Sequence, residues 1–125
     1  MVKKEKVNAT ELELALKELV ETEGVNASAV VTRDGVMVEF CNKHVPEMVS
    51  PFSSVVAMMT RTAEKCARLL KKGELEEIIT KADGGVILTE KCGELIFLVA
   101  ADKGIDFDSL KPQREKVKTA IKGMV

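Results

Sequence analysis

Few side chains in this sequence are of a kind and spacing that do chemistry. The three cysteines, Cys41, Cys66 and Cys92, stand more than twenty residues apart, and no C-x-x-C occurs. Their number is odd, so a disulfide scaffold is not expected. With His44 they could compose a three-cysteine, one-histidine zinc set. Structural zinc, however, draws its ligands from closely spaced pairs, so no metal site is expected, and Cys66 reads as a small core residue. His44 is the only histidine. It sits in the polar run Asn42-Lys43-His44 with no group to orient it as a general base, and reads as a solvated loop residue. Gly84-Gly85 lies between two strands and reads as a hairpin turn, because a phosphate cradle needs its glycines to open a helix. The acidic pairs Glu76-Glu77 and Asp106/Asp108 read as solvated ends of elements, with Asp108 or Ser109 capping the last helix. No catalytic residue, cofactor site or metal site is expected, and an independent enzyme is the least favoured class.

The bulk properties point the same way. Nineteen basic and twenty acidic side chains leave a formal charge of -1, which gives no field for nucleic acid or an anionic membrane. There is no tyrosine or tryptophan, and the four phenylalanines look core-bound, so no stacking platform exists for single strands. No apolar run approaches the roughly 18 residues of a membrane span. Met1-Val2-Lys3-Lys4-Glu5-Lys6 has the charge of a signal-peptide start. Asn8, Thr10, Glu11 and Glu13 then stand where an apolar stretch should be, so the chain is expected to be cytoplasmic. The 125 residues fit one domain that can bury about two-thirds of its surface. Residues 1–8 are expected to be a flexible N-terminus, and residues 9–122 a single domain.

Helix one is expected to start at Thr10, in a capping box with Glu13, and to carry the stripe Leu12, Leu16, Leu19 and Val20 as far as Gly24. Residues 25–32 and 36–41 flank Arg33-Asp34-Gly35, a hairpin signal. Ala27, Ala29 and Val31 fall on one face of the first strand, Ser28 and Val30 on the other. Residues 78–82, 86–90 and 95–101 form three more strands joined by Asp83-Gly84-Gly85 and Lys91-Cys92-Gly93, hence antiparallel neighbours. The run Leu95-Ile96-Phe97-Leu98-Val99 belongs at the centre of a sheet covered on both sides. A last helix runs from Ser109 or Leu110 to Lys122, with Leu110, Val117, Ala120 and Ile121 inward. Its outer side, basic with Lys111, Arg114, Lys116, Lys118 and Lys122, reads as a solvated face. The expectation is an α+β fold of order α-β-β-α-β-β-β-α. It has a five-stranded antiparallel sheet with one long helix on one face and two helices on the other.

That long helix, residues 50–73, is the most informative element. Ser50 can cap it, Pro51 suits its first turn, Lys71 and Lys72 face the negative end of its dipole, and Gly73 can stop it. Phe52, Val55, Val56, Met58, Met59, Ala63, Cys66, Ala67, Leu69 and Leu70 share one half of the cylinder. Arg61, Glu64, Lys65 and Arg68 occupy the other. An arc of roughly 180° is wider than the roughly 100° stripe that a sheet requires, so a second partner is expected. A second copy of the chain fits, with contacts drawn from Met58, Thr62 and Leu69 on one margin or Val56, Ala63 and Ala67 on the other, and with Met59 among the interface residues. Met37, Met48, Met58 and Met59 suit an adaptable contact surface as well as they suit core filling.

The element order resembles that of the roadblock/dynein-light-chain family. The segments that carry the likeness are Gly24-Val25-Asn26-Ala27-Ser28-Ala29-Val30-Val31-Thr32-Arg33-Asp34-Gly35 and Asp83-Gly84-Gly85-Val86-Ile87-Leu88-Thr89, the latter followed by Gly93-Glu94-Leu95-Ile96-Phe97-Leu98-Val99-Ala100. The likeness spans about residues 9–122; Ala27 departs from it, since members often have glycine there. The resemblance implies a homodimer with antiparallel long helices and sheets joined at an edge strand. It also implies a non-catalytic regulator or scaffold for a Ras-like small GTPase, prokaryotic members being partners or activators of such GTPases; whether this chain stimulates hydrolysis stays open. Such an activator can reshape the GTPase's own switch loops, so Arg33, Arg61 and Arg68 are not expected to act as arginine fingers. Two other readings stay open: a small-molecule sensor of PAS or GAF type, with Ala27, Ala29, Ala63 and Ala67 leaving a cavity, and a longin-like adaptor domain, against which the first helix argues.

Overall fold

The computed structural model describes residues 2–43 and 51–124, with residues 2–10 described by backbone alone. The elements are α1 (Val2–Glu21), β1 (Val25–Thr32), β2 (Met37–Asn42), α2 (Pro51–Leu69), β3 (Glu77–Ala82), β4 (Gly85–Cys92), β5 (Leu95–Ala101), a 3-10 turn (Phe107–Leu110) and α3 (Lys111–Lys122). The α+β order and the five-stranded antiparallel sheet are as expected. Thr10, by contrast, lies inside α1 rather than at its start. Lys3, Lys4, Glu5 and Lys6 are good helix formers with no breaker among them, so the helix extends through them. The Ser50 cap, the His44 loop and Met48 lie outside the described residues.

The strand order is β2-β1-β5-β4-β3, every neighbouring pair antiparallel. The apolar run of β5 therefore takes the central place, between β1 and β4. The side chains of β5 alternate between two cores. On one side α1 and α3 close over Val30, Phe97 and Val99 with Leu12, Leu16, Leu19, Val117 and Ile121. On the other, α2 covers Val31, Ile96 and Leu98 with Val56 as its one large buried apolar side chain, helped by Met37, Phe52 and Ile87 at the edges. At about 1.5–3 kcal/mol for each large buried side chain, the first core carries most of the stability and the second little.

Helix α2 ends earlier than its sequence suggests. The N–H of Lys72 donates to the Ala67 carbonyl (2.8 Å) and that of Lys71 to the Arg68 carbonyl (3.0 Å), the paired bonds of a Schellman stop. Lys71, with φ of 57°, occupies the left-handed position of this stop; Gly73, also at positive φ (87°), lies two residues beyond it. A side chain there carries strain that glycine avoids. Lys71→Gly should therefore raise stability by roughly 0.5–1 kcal/mol, after allowing for the freer unfolded chain. The midpoint of urea unfolding measures this, and a loss would mean that the stop is not built this way.

Candidate interaction surface

Helix α2 meets the sheet with a stripe of mostly small and polar residues. Ser53, Val56, Ala57, Thr60 and Glu64 are its buried residues. Their spacing of three and four marks one continuous stripe. Small side chains there let the helix lie close over Ala29 and Val31, which are fully buried on β1. The Thr60 hydroxyl is satisfied within the helix, donating to the Val56 carbonyl (2.9 Å). Ala57 on α2 and Ala29 on β1 serve that close approach.

The opposite side of α2 is apolar and open. Val55 and Met58 are each 58% exposed and Leu69 72%, and Thr62 and Cys66 are exposed beside them. The candidate contact residues divide accordingly. Val56 is buried in the chain's own core against Val31, Ile96 and Leu98, which takes it out of the candidate set. Met58, Thr62 and Leu69 face away from the sheet, while Met59, Ala63 and Ala67 are half-buried along one flank. Two expectations are corrected here. Cys66 is exposed, not a core residue, because the inner stripe passes through Thr60 and Glu64 instead. Glu64, expected on a solvated face, is 3% exposed.

An ion cluster holds Glu64 inside. One of its oxygens accepts a hydrogen bond from the Arg33 guanidinium, at the β1–β2 hairpin, and the other lies 2.7 Å from Lys91 Nζ, at the end of β4. Lys91 also reaches the exposed Glu74 (3.3 Å), and Arg61 Nη1 donates to the Arg33 carbonyl (2.9 Å). The cluster ties α2 to two strands and sets its rotation. The hydrogen bond and charge of Lys91, with Arg33 beside it, hold the Glu64 carboxyl below its ordinary value against the effect of burial. The bond to Glu64 raises Lys91 in turn. Sequence reasoning missed this centre. The available signal was that Glu64, the only acid in α2, continues the stripe of small residues Ser53, Ala57 and Thr60.

The remaining expected positions are inert. Burial pushes the thiols of Cys41 and Cys92 up, away from thiolate chemistry. The Asp106 carboxylate caps the 3-10 turn by accepting from the Asp108 N–H (3.0 Å), so neither Asp108 nor Ser109 caps α3. Gly85 lies where a Cβ would come 2.5 Å from the Ala101 carbonyl oxygen, a close strand contact rather than a phosphate cradle. Glu90, on the α3 face of β4, is held by Arg114 (3.0 Å) and Lys118 (2.6 Å), so the outer side of α3 is partly spent on fastening it to the sheet. Among the described residues no group of three or more potential metal ligands occurs, and no helix is long and apolar enough to cross a membrane.

A profile of the Roadblock/LC7 domain matches residues 11–102. None of the curated proteins matches the sequence. Among solved structures, MglB of Myxococcus xanthus superposes with a TM-score of 0.79 at 12% identity, over 90% of this chain and 92% of that one. The gliding protein MglB of Thermus thermophilus gives 0.76 at 14%, over 91% and 87%. A Roadblock/LC7 domain of Streptomyces avermitilis gives 0.76 at 12%, over 88% and 93%. At such identities these likenesses show the fold.

The ion cluster predicts how stability depends on pH. The folded value of Glu64 is lowered, so its contribution is complete above the ordinary 4.5 and fades as pH falls through the folded value. The folded value of Lys91 is raised, so its contribution is complete below 10.5 and is lost as pH rises past the folded value. Glu64→Gln should cost about 2–3 kcal/mol near pH 7, toward the low end for a broken buried pair because Arg33 stays partly exposed. It should also flatten the loss of stability below pH 4.5. Glu74→Gln, at an exposed partner, should cost about 0.5 kcal/mol or less. Urea unfolding from pH 3 to pH 8, roughly the span in which carboxylates titrate, measures both; equal effects would place Glu64 outside.

Proposed function

This chain belongs to the Roadblock/LC7 family, and from that membership and the rotation of α2 we infer that it works as a homodimeric, non-catalytic regulator or scaffold for a Ras-like small GTPase. The observation that carries the reading is the open apolar side of α2: Val55, Met58 and Leu69 are exposed, while Ser53, Val56, Ala57, Thr60 and Glu64 meet the sheet. A lone domain gains nothing from that arrangement. A docking element gains a contact surface that its own core does not need.

Geometry favours one flank for the second copy. Arg61 and Ser54 lie toward the β1–β2 hairpin, Arg61 through its bond to Arg33 and Ser54 against Gly35. The other flank, with half-buried Met59, Ala63 and Ala67, is the side of α2 turned away from that hairpin. Two alanines one turn apart allow helices to approach closely. Edge β3 is itself self-complementary. In an antiparallel pair of β3 strands centred on Ile79, which is 52% exposed, Glu77 of each copy stands opposite Lys81 of the other. One two-fold axis would then join both helices and both sheets.

The GTPase comes from the resemblance to prokaryotic family members, and the breadth of a paired platform supports it. Isothermal calorimetry with a Ras-like GTPase encoded beside the gene should show binding, tighter for the GTP form, whose ordered switch loops offer more to grip. Equal affinity for both forms would leave a scaffold, and no binding to either would end the GTPase reading. For the dimer, Ala63→Glu should yield a monomer, because an unpaired charge buried in the contact costs several kcal/mol. Since Ala63 is only half-buried within its own chain, that monomer should remain folded by circular dichroism. A variant that stays dimeric would place the contact elsewhere.

A further inference from the structure

The second half of α2 and the turn beyond it carry Arg61, Lys65, Arg68, Lys71 and Lys72, all exposed. Among the described residues none of the five is in an ion pair, whereas the buried Glu64 is held by two cations of its own. Because the one acid of the helix is turned inward and held there, no carboxylate of α2 itself stands among the five on its outer surface. The chain as a whole has a formal charge of -1, so this is a local excess. Arg61, Lys65 and Arg68 run along the hairpin flank of α2, opposite Met59, Ala63 and Ala67, and pairing through the latter leaves them free. Exposed Met58 and Leu69 border them.

We propose that this stripe is the docking site for an acidic, amphipathic segment of the partner protein, its carboxylates on Arg61, Lys65 and Arg68 and its apolar side on Met58 and Leu69. This rests on the reading of the chain as an interaction protein and names the chemistry of its partner. The stripe is narrow. From Arg61 to Arg68 it is about 10 Å long, at 1.5 Å per residue. Exposed acids lie around it: Asp34 and Glu94 share a cleft with Arg33 and Arg61, and Glu74 and Glu76 follow Lys72 in the chain. A flat anionic bilayer would press those acids against its headgroups. A slender acidic helix or strand meets the cations and clears the rim.

The test uses fluorescence anisotropy with a labelled synthetic amphipathic helix that has glutamates on one side and leucines on the other. Its counterpart carries lysine for each glutamate, and mixed phosphatidylcholine–phosphatidylserine vesicles are tested by co-sedimentation. The protein should bind the glutamate peptide, more weakly as salt rises, and not the lysine peptide. The double variant Lys65→Glu/Arg68→Glu, at exposed positions and checked for an unchanged melt, should lose affinity by roughly tenfold or more. Equal binding of the two peptides, or no effect of the reversal, would overturn the proposal. So would vesicle binding without peptide binding, which would assign the stripe to a membrane. None of these readouts uses a GTPase or depends on the chain's mass, so failure here is separable from failure of the dimeric GTPase reading.

Discussion

The inward turn of Glu64 is the constraint on which the rest of the α2 face depends. A carboxylate at this depth is tolerable only because Arg33 and Lys91 reach it from two different strands. Once it is anchored, the rotation of α2 has no freedom left. Ser53, Ala57 and Thr60 must share the inner stripe, and Val55, Met58 and Leu69 must lie outside it. An ion cluster is a poor source of net stability compared with apolar packing of the same volume. Its value here is orientation, since it fixes which residues the helix offers to a partner.

The two faces of the sheet accordingly do different work. Under α1 and α3 the packing is that of a closed core: Leu16, Leu19, Phe97 and Val117 are wholly buried, and Glu90 is clamped by Arg114 and Lys118 from α3. Under α2 only Val31, Val56, Ile96 and Leu98 are buried together. The fold is held by the first face, and the second is left available for contact. A binding element gains from this division, because a contact residue such as Met58 can change without disturbing the core that keeps the sheet together.

Much of this was legible in the sequence. The Asp34-Gly35 hairpin, the central position of the Leu95–Ala101 run and the distribution of the three helices all follow from local periodicity and turn chemistry, and the structure has them. What a helical pattern could not reveal is the rotation of α2. An apolar arc of roughly half a cylinder fits a sheet at more than one angle. The choice was made by Arg33 and Lys91, which are distant from Glu64 along the chain and near it only after folding. Cys66 was misplaced for the same reason. The early stop of α2 was obscured because Lys71 adopts a conformation that sequence rules reserve for glycine, and the start of α1 because a capping pair at Thr10 and Glu13 was overridden by the helix formers before it.

The central claim is that α2 is a contact element for a second copy of this chain, through the flank that carries Met59, Ala63 and Ala67. Sedimentation equilibrium on the wild-type protein across low-micromolar to high-micromolar concentrations tests it directly. The account predicts a mass of twice 13.7 kDa, falling only on dilution. A mass of 13.7 kDa throughout that range would contradict it.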